Sequence, residues 1–311
     1  MSCWQVAPGD GVAIVMRYRA IASSAHDDLN NDVWPQASTV SNAESFGLRA
    51  PSDGRSFHVI SGTGSVLGMR VVFIHGAFSR DGAWWWAPTA ALLNRSAIAS
   101  TAVRLPSCGE AGIAPTAAGP GLHEDAAATT AVLDEGEPTI LVAHSYGGMV
   151  ASQAGEHPAV SALVYITSFL PAVGETLATL SSGPDPVPVI PHPDGSVSVD
   201  ASDRAAFDAR FLHDAPDRDL VSGAHDRLCA QSSAVFGAQT TAAAWERIPS
   251  TYLVCAEERS TDPDLQRAQA ARATTVRELP AGHFPMLSRP DLVAACIEEI
   301  ASRARAHVAS R

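Results

Sequence analysis

Lysine is absent: all 21 basic residues among the 311 are arginine. A chain without lysine cannot form a side-chain Schiff base, cannot anchor pyridoxal phosphate and cannot supply the lysine of a P-loop. Cysteine is sparse. Cys3, Cys108, Cys229, Cys255 and Cys296 stand far apart with no C-x-x-C pair, which argues against a disulfide or zinc framework and fits a reducing compartment. No apolar run approaches the roughly 18 residues of a membrane span, and no basic segment followed by an apolar one opens the sequence. A cytoplasmic protein without a membrane partner is expected. Positive charge is in deficit: 33 acidic residues give a formal net charge of −12, which disfavours nucleic acid and anionic lipid as partners. The histidines are not spaced as ligands. His123-Glu-Asp125 and His213-Asp214 come nearest and read as solvated polar faces, so no metal is expected.

What is present is a globular composition, 46% hydrophobic and 17% charged, in a chain long enough for one substantial core. Its centre is Thr139-Ile-Leu-Val-Ala-His-Ser-Tyr-Gly-Gly-Met-Val150. Thr139 to Val142 predicts a buried strand, and the apolar run from Gly148 predicts a helix. Between them Ser145 sits on a sharp strand-to-helix turn. Such a turn pushes a hydroxyl above the sheet and leaves the N–H of the next residue, Tyr146, free at a helix N-terminus. The positions two before and two after the serine must be small, and Ala143 and Gly147 are.

Around this centre, strands and helices alternate. Strands are predicted at Arg70 to His75, Ile98 to Leu105, Ser161 to Ile166, Thr251 to Cys255 and Thr274 to Leu279. Helices are predicted at Ala83 to Leu93, Leu122 to Leu133, Gly148 to about Gly155, Pro263 to Arg272 and Pro290 to about Ala306. This pattern predicts a mostly parallel sheet covered on both faces. It breaks from about 171 to 249, where a proline-rich piece precedes polar helical segments around Asp203 to Leu212 and Ala224 to Ala234. An insertion of that size at the carboxyl edge of a sheet reads as a cap. The glycines of Ser61-Gly-Thr-Gly-Ser-Val-Leu-Gly68 miss G-x-G-x-x-G spacing and precede a strand, so no dinucleotide loop is expected.

A serine hydroxyl is a weak nucleophile and needs a base within reach, oriented by a third group. His283, in the loop after the last strand, is the candidate base. The loop after the preceding strand offers Glu257, Glu258, Asp262 and Asp264; Glu258 is favoured, with Glu257 and Asp262 as alternatives. At the end of the first strand, His75-Gly-Ala77 places the Ala77 N–H as a second oxyanion donor beside that of Tyr146.

These pieces carry a resemblance. Phe73-Ile-His-Gly-Ala77, Leu105-Pro-Ser-Cys-Gly109, Ala143-His-Ser-Tyr-Gly-Gly148, Val164-Tyr-Ile, Tyr252 to Arg259, Gly282-His-Phe-Pro and Leu287-Ser-Arg-Pro290 resemble the α/β-hydrolase fold. Within it they resemble the branch holding plant salicylate and jasmonate methyl esterases, hydroxynitrile lyases and pyrethroid-type carboxylesterases. The resemblance implies a doubly wound α/β sheet with a helical cap insertion. It also implies a cofactor-free serine carboxylesterase acting on a small-molecule ester, with Ser145, His283 and Glu258 as the triad. The substrate pocket is expected to draw on His75, Gly76, Phe78, His144, Trp85 and Phe284. Two departures matter. The family acid before Arg259 is usually Asp. The lyases carry Thr and Lys where this chain has Gly76 and Phe284, which sets carbon–carbon lyase chemistry, like ligand binding without turnover, behind ester hydrolysis.

Residues 1 to 68 are polar, rich in Asn, Asp and Ser, and read as an extension that is disordered or loosely attached, with the hydrolase domain at 69 to 311. A chain beginning at Met69 is expected to be soluble and to keep ester hydrolysis within about twofold of the full chain. An insoluble or inactive truncation would overturn that boundary.

Overall fold

The computed structural model describes residues 68–182 and 185–309. Residues 1–67, and with them the expected N-terminal extension, lie outside the described residues. In chain order the first half gives β1 (Arg70–Ile74), α1 (Gly82–Arg95), β2 (Ser100–Ala102), α2 (Leu122–Leu133), β3 (Thr139–His144), α3 (Gly147–Ala154) and β4 (Val160–Ile166). The insertion holds α4 (Leu177–Leu180), β5 (Val189–Pro191), β6 (Ser196–Val199), α5 (Arg204–Phe211), α6 (Arg218–His225), β7 (Gln231–Ser232) and α7 (Ala234–Gly237). The core resumes with β8 (Ser250–Cys255), α8 (Pro263–Ala270), β9 (Thr275–Leu279), α9 (Pro285–Ser288) and α10 (Pro290–Ala309).

Six strands form one parallel sheet in the order β2-β1-β3-β4-β8-β9. β3 is central and every one of its residues is buried, as a strand with both faces covered requires. Its register sets Ala143 beside Ile74 of β1 and Tyr165 of β4, so the three strands end together at the carboxyl edge. α1 packs on α9 and α10, and α2 on α3. Trp86 of α1 lies flat on Phe73 of β1, centroids 4.3 Å apart. Leu122, Ala126, Thr129 and Leu133, with Asp125, form the buried face of α2. α8 begins at Asp262, whose carboxylate accepts the N–H of Asp264 at 2.7 Å, an N-cap in the usual sense.

Three expectations need correction. The strand predicted from Ile98 to Leu105 is only Ser100–Ala102, because Val103 and Leu105 bury their side chains while the chain already leaves the ladder. The insertion is not purely helical: β5, β6 and β7 form a small antiparallel sheet. The second polar helix expected there is α6, Arg218–His225, not Ala224 to Ala234, because Asp217 caps its start by accepting Leu220 N–H at 2.8 Å, and Gln231–Ser232 is drawn into pairing with β6. Among the described residues no helix is long and apolar enough to cross a membrane, and no group of three or more His, Cys, Asp or Glu could hold a metal ion.

Helix α3 starts against the end of β1. A β-carbon on Gly147 would stand 2.8 Å from the carbonyl oxygen of Ile74 and 2.9 Å from that of His75, closer than backbone can tolerate. Gly147→Ala is therefore expected to cost about 1–3 kcal/mol of unfolding free energy, measured by urea denaturation. An unchanged midpoint would show that the helix start shifts freely.

Candidate active site

Ser145 links β3 to α3 with φ 51°, a left-handed conformation that a residue with a β-carbon holds only under outside constraint. Its neighbours supply that constraint. Ser145 N–H donates to Ile166 O at 3.2 Å, and Ser145 O accepts Gly148 N–H at 3.1 Å and Ser168 Oγ–H at 2.6 Å. From the other side comes Gly76. A β-carbon there would lie 2.9 Å from His144 Nδ1 and 3.1 Å from Ser145 Cβ, so the loop after β1 passes the serine with no room for a side chain. Ala77, next in that loop, and Tyr146, next after the serine, each present a backbone N–H. Neither donates a hydrogen bond among the described residues.

His283 follows β9 and is 6% exposed. Its Nδ1–H donates to Glu258 Oε2 at 2.6 Å. Glu258, in the turn after β8, is held at four points. Oε2 also accepts Thr167 Oγ–H at 2.6 Å, and Oε1 accepts the N–H groups of Arg259 and Ser260 at 2.9 and 2.6 Å. Burial alone would favour the neutral acid, but the charge and hydrogen bond of His283, with Thr167 and the Ser260 amide, hold this carboxyl below its usual range. The alternatives are elsewhere: Glu257 is exposed, and Asp262 caps α8. Ser145 and His283 are neighbours through His144. The His144 ring lies 4.7 Å from that of His283, and its Nε2–H donates to the His283 carbonyl at 2.8 Å. Ser145 Oγ itself makes no hydrogen bond among the described residues, and such contacts are commonly long until a substrate is bound.

The expected pocket residues separate into two groups. Gly76 and Phe78 flank the serine loop. His75, His144, Trp85 and Phe284 are buried, each already engaged with other groups of the protein. Trp85 is 1% exposed, stacks on Phe284 at 4.6 Å and donates its indole N–H to Arg80 O at 3.0 Å. Phe284 also leans on His144 at 5.1 Å. The apolar surroundings of His283 are the edge-on rings of Phe284, at 4.8 Å, and of Phe211 of α5, at 5.3 Å, the latter a residue no motif marks. An open cavity of about 640 Å³, lined by Arg80, Arg104, Cys108, Glu110 and Cys229 among others, does not include Ser145, His283 or Glu258.

His75 holds a second buried acid–base pair, absent from the sequence reading. Its Nδ1 faces Gly76 O at 2.9 Å and its Nε2 faces Glu110 Oε2 at 2.8 Å. Glu110 meanwhile accepts the N–H groups of Asp81 and Leu105, both at 2.8 Å. Both partners of the ring are acceptors, so both ring nitrogens carry protons and the pair is ionic. Burial pulls the His75 value down, yet Glu110 outweighs it and the net direction is up. Glu110 goes the other way: burial raises it, while His75 and the two amides hold it below its usual range. His144 differs again. Burial, followed by the charge of His283, puts it well below the usual range, so it is a neutral ring with its proton on Nε2.

Two polar stretches read as solvated faces are so only in part: His123 and Glu124 are exposed, and His213 and Asp214 are half-buried. Asp125 is fully buried because Ser107 and Tyr146 donate to it. Asp214 accepts Gly282 N–H at 2.6 Å, next to His283. The two ring nitrogens of its neighbour His213 are buried without partners among the described residues.

Comparison with known proteins follows the same lines. The family described as "Alpha/beta hydrolase family" matches residues 71–296. "Probable hydrolase R7" of Phoma sp. is 27% identical over 246 residues, 74% of this chain and 97% of that one. "Alpha/beta hydrolase nvfD" of Aspergillus novofumigatus is 29% identical over 185 residues, 55% of this chain and 73% of that one. Among solved structures, a pyrethroid hydrolase from Sphingobium faniae JZ-2 is similar with a TM-score of 0.63 at 24% identity, covering 75% of this chain and 97% of that one.

The His75–Glu110 pair has a pH signature. A raised histidine value contributes stability that is complete below about pH 6.5 and fades as pH rises through the folded-state value. A lowered glutamate value contributes above about pH 4.5 and is lost as pH falls through its folded-state value. Glu110→Gln is expected to lower the melting temperature most between those limits, with the gap to the unmodified protein narrowing by pH 9. A gap that stays constant from pH 6 to pH 9 would show that no charged pair forms.

Proposed function

The chain belongs to the α/β-hydrolase family, and on that premise we propose that it is a serine carboxylesterase acting on a small to medium apolar or aryl ester through an acyl-enzyme. One observation carries the proposal. A histidine oriented by a fully hydrogen-bonded carboxylate, Glu258 to His283 at 2.6 Å, stands 4.7 Å, ring to ring, from His144, the residue before a serine held on a left-handed turn between strand and helix.

In this mechanism His283 Nε2 takes the proton of Ser145 as Oγ attacks the ester carbonyl, and Glu258 stabilises the imidazolium through Nδ1–H. The carbonyl oxygen becomes an anion between the N–H groups of Ala77 and Tyr146, both unclaimed within the described protein. In comparable sites the loss of one such donor costs about 2.7–4 kcal/mol of transition-state stabilisation. His283 then gives its proton to the departing alcohol and draws one from the water that cleaves the acyl-enzyme. The rings of Phe211 and Phe284 about His283, at 5.3 and 4.8 Å, support an apolar acyl or aryl group as the recognised part. The lyase alternative needs a cation beside the leaving group, and Phe284 stands where a lysine would serve.

Ser145→Ala is expected to lower turnover of a p-nitrophenyl ester by roughly three or more orders of magnitude, with the melting temperature unchanged. A loss below tenfold would remove Ser145 as the nucleophile.

A further inference from the structure

The proposed chemistry uses Tyr146 only through its backbone N–H, yet its side chain is completely buried and makes a bond the mechanism leaves unexplained. Tyr146 Oη–H donates to Asp125 Oδ2 at 2.6 Å. The same carboxylate accepts Ser107 Oγ–H at 2.6 Å on Oδ2 and Ser107 N–H at 2.8 Å on Oδ1. Ser107 Oγ in turn accepts Gln231 Nε2–H at 3.0 Å, and Gln231 Oε1 accepts the N–H of Phe78 at 3.1 Å. Asp125, Ser107, Tyr146 and Gln231 all have no exposed surface.

Donor and acceptor inventory, with the distances, assigns the directions in this chain. Phe78 N–H can only donate, so Gln231 turns its carbonyl to Phe78 and its amide to Ser107. The Ser107 hydroxyl has one other acceptor, Cys108 Sγ at 4.0 Å, far weaker than Asp125 at 2.6 Å, so its proton goes to Asp125, as does that of the Tyr146 hydroxyl. Asp125 is left with three donors and no proton of its own, a carboxylate. No cation pairs with it among the described residues, and burial pushes its carboxyl above the usual range against the pull of those bonds. Such a group is costly to the fold. What it supplies is orientation.

The two ends of the chain are the two sides of the proposed oxyanion cradle. Tyr146 carries one donor. Phe78 directly follows Ala77, which carries the other, and has φ 58°, a conformation it keeps because Gln231 takes its N–H and Cys229 N–H donates to its carbonyl at 2.9 Å. We propose that Asp125 is a positioning residue for ester hydrolysis: through Tyr146 on one side, and through Ser107, Gln231 and Phe78 on the other, it fixes the spacing of the Ala77 and Tyr146 N–H groups. This rests on the serine-esterase reading above. Gln231 belongs to β7 of the cap, so seating the cap and setting the cradle are a single event.

The test compares Tyr146→Phe, Asp125→Asn, Gln231→Met and the Tyr146→Phe/Asp125→Asn double variant in the full chain. The readouts are kcat and KM on a p-nitrophenyl ester, affinity for an aryl trifluoromethyl ketone, and melting temperature. The ketone adds Ser145 Oγ to its carbonyl carbon and places the resulting oxyanion in the cradle, so it reports on the two N–H groups directly. Each single variant is expected to lose roughly 10- to 100-fold in kcat with KM nearly unchanged, as for a displacement of under an ångström. Ketone affinity should fall in step with kcat/KM. The double variant should fall no more than about twofold below the worse single one, because both act through one bond. Full kcat and full ketone affinity in folded Tyr146→Phe would overturn the proposal, as would losses that multiply in the double variant. Should Asp125→Asn fail to fold, Tyr146→Phe and Gln231→Met decide by the same criteria. Failure of the underlying reading looks different: the unmodified protein would then neither hydrolyse the ester through Ser145 nor bind the ketone, and the positioning role would fall with it.

Discussion

At the carboxyl edge of the sheet the ends of β1 and β3 come so close that a single methyl group at position 76 would strike His144 and Ser145. Much else in the molecule follows from that approach. It requires glycine after His75, and at Gly147 it requires a second residue without a side chain where α3 crosses the end of β1. It also holds Ser145 in a left-handed turn that the serine would not adopt alone. A parallel register makes this possible, since parallel strands deliver all their carboxyl ends to one edge. The ends of β4, β8 and β9 bring Thr167, Glu258 and His283 to the same line.

Three buried histidines within this edge take three different states, and their partners decide which. His75 lies between two acceptors, Gly76 O and Glu110, and must be doubly protonated. His144 faces only the carbonyl of His283 and lies next to another ring that can carry charge, so it is neutral and donates from Nε2. His283 is bound on Nδ1 by Glu258 and keeps Nε2 free of any bond among the described residues. Side by side they are a fixed ion pair, a neutral ring and a ring open on one nitrogen. Asp125 adds a buried anion on the far side of Tyr146, so the elbow is braced by charge as well as by packing.

How much of this the sequence disclosed depends on how far apart the interacting residues are in the chain. The strand-to-helix turn at Ser145 is encoded within a dozen neighbouring residues: a β-branched run, a small residue, the serine, then glycines. Local physics suffices there, and the α/β-hydrolase family and its parallel sheet follow from repeating that pattern. Asp125 was legible in principle. On the 3.6-residue period of α2 it lies with Leu122 and Thr129 on the face that packs inward, but its run of His-Glu-Asp looks solvated until Ser107 and Tyr146, 18 and 21 residues away, are folded against it. Glu110 pairs across 35 positions with His75, and Gln231 across 153 with Phe78. No spacing rule reaches that far. The cap fared worst for the same reason, since β7 exists only because β6 pairs with it.

The glutamate at position 258, where the family resemblance leads one to expect aspartate, shows how the fold holds a longer arm. An extra methylene carries an extra rotatable bond, and an acid that wanders cannot hold an imidazole. Here the added length is spent locally. The chain turns back on itself after β8, so that Oε1 caps the amides of the next two residues, Arg259 and Ser260. That hooks the carboxylate to its own backbone and leaves Oε2 pointing away from the turn, toward His283 and Thr167. The Thr167 hydroxyl closes the last direction of motion, from a residue that itself has φ 40° at the end of β4. With both oxygens committed, the carboxylate has one orientation, and the ring it faces has one tautomer. The constraint that matters at this position is thus the number of bonds fixing the carboxylate, and four bonds make glutamate as rigid as the shorter acid would be.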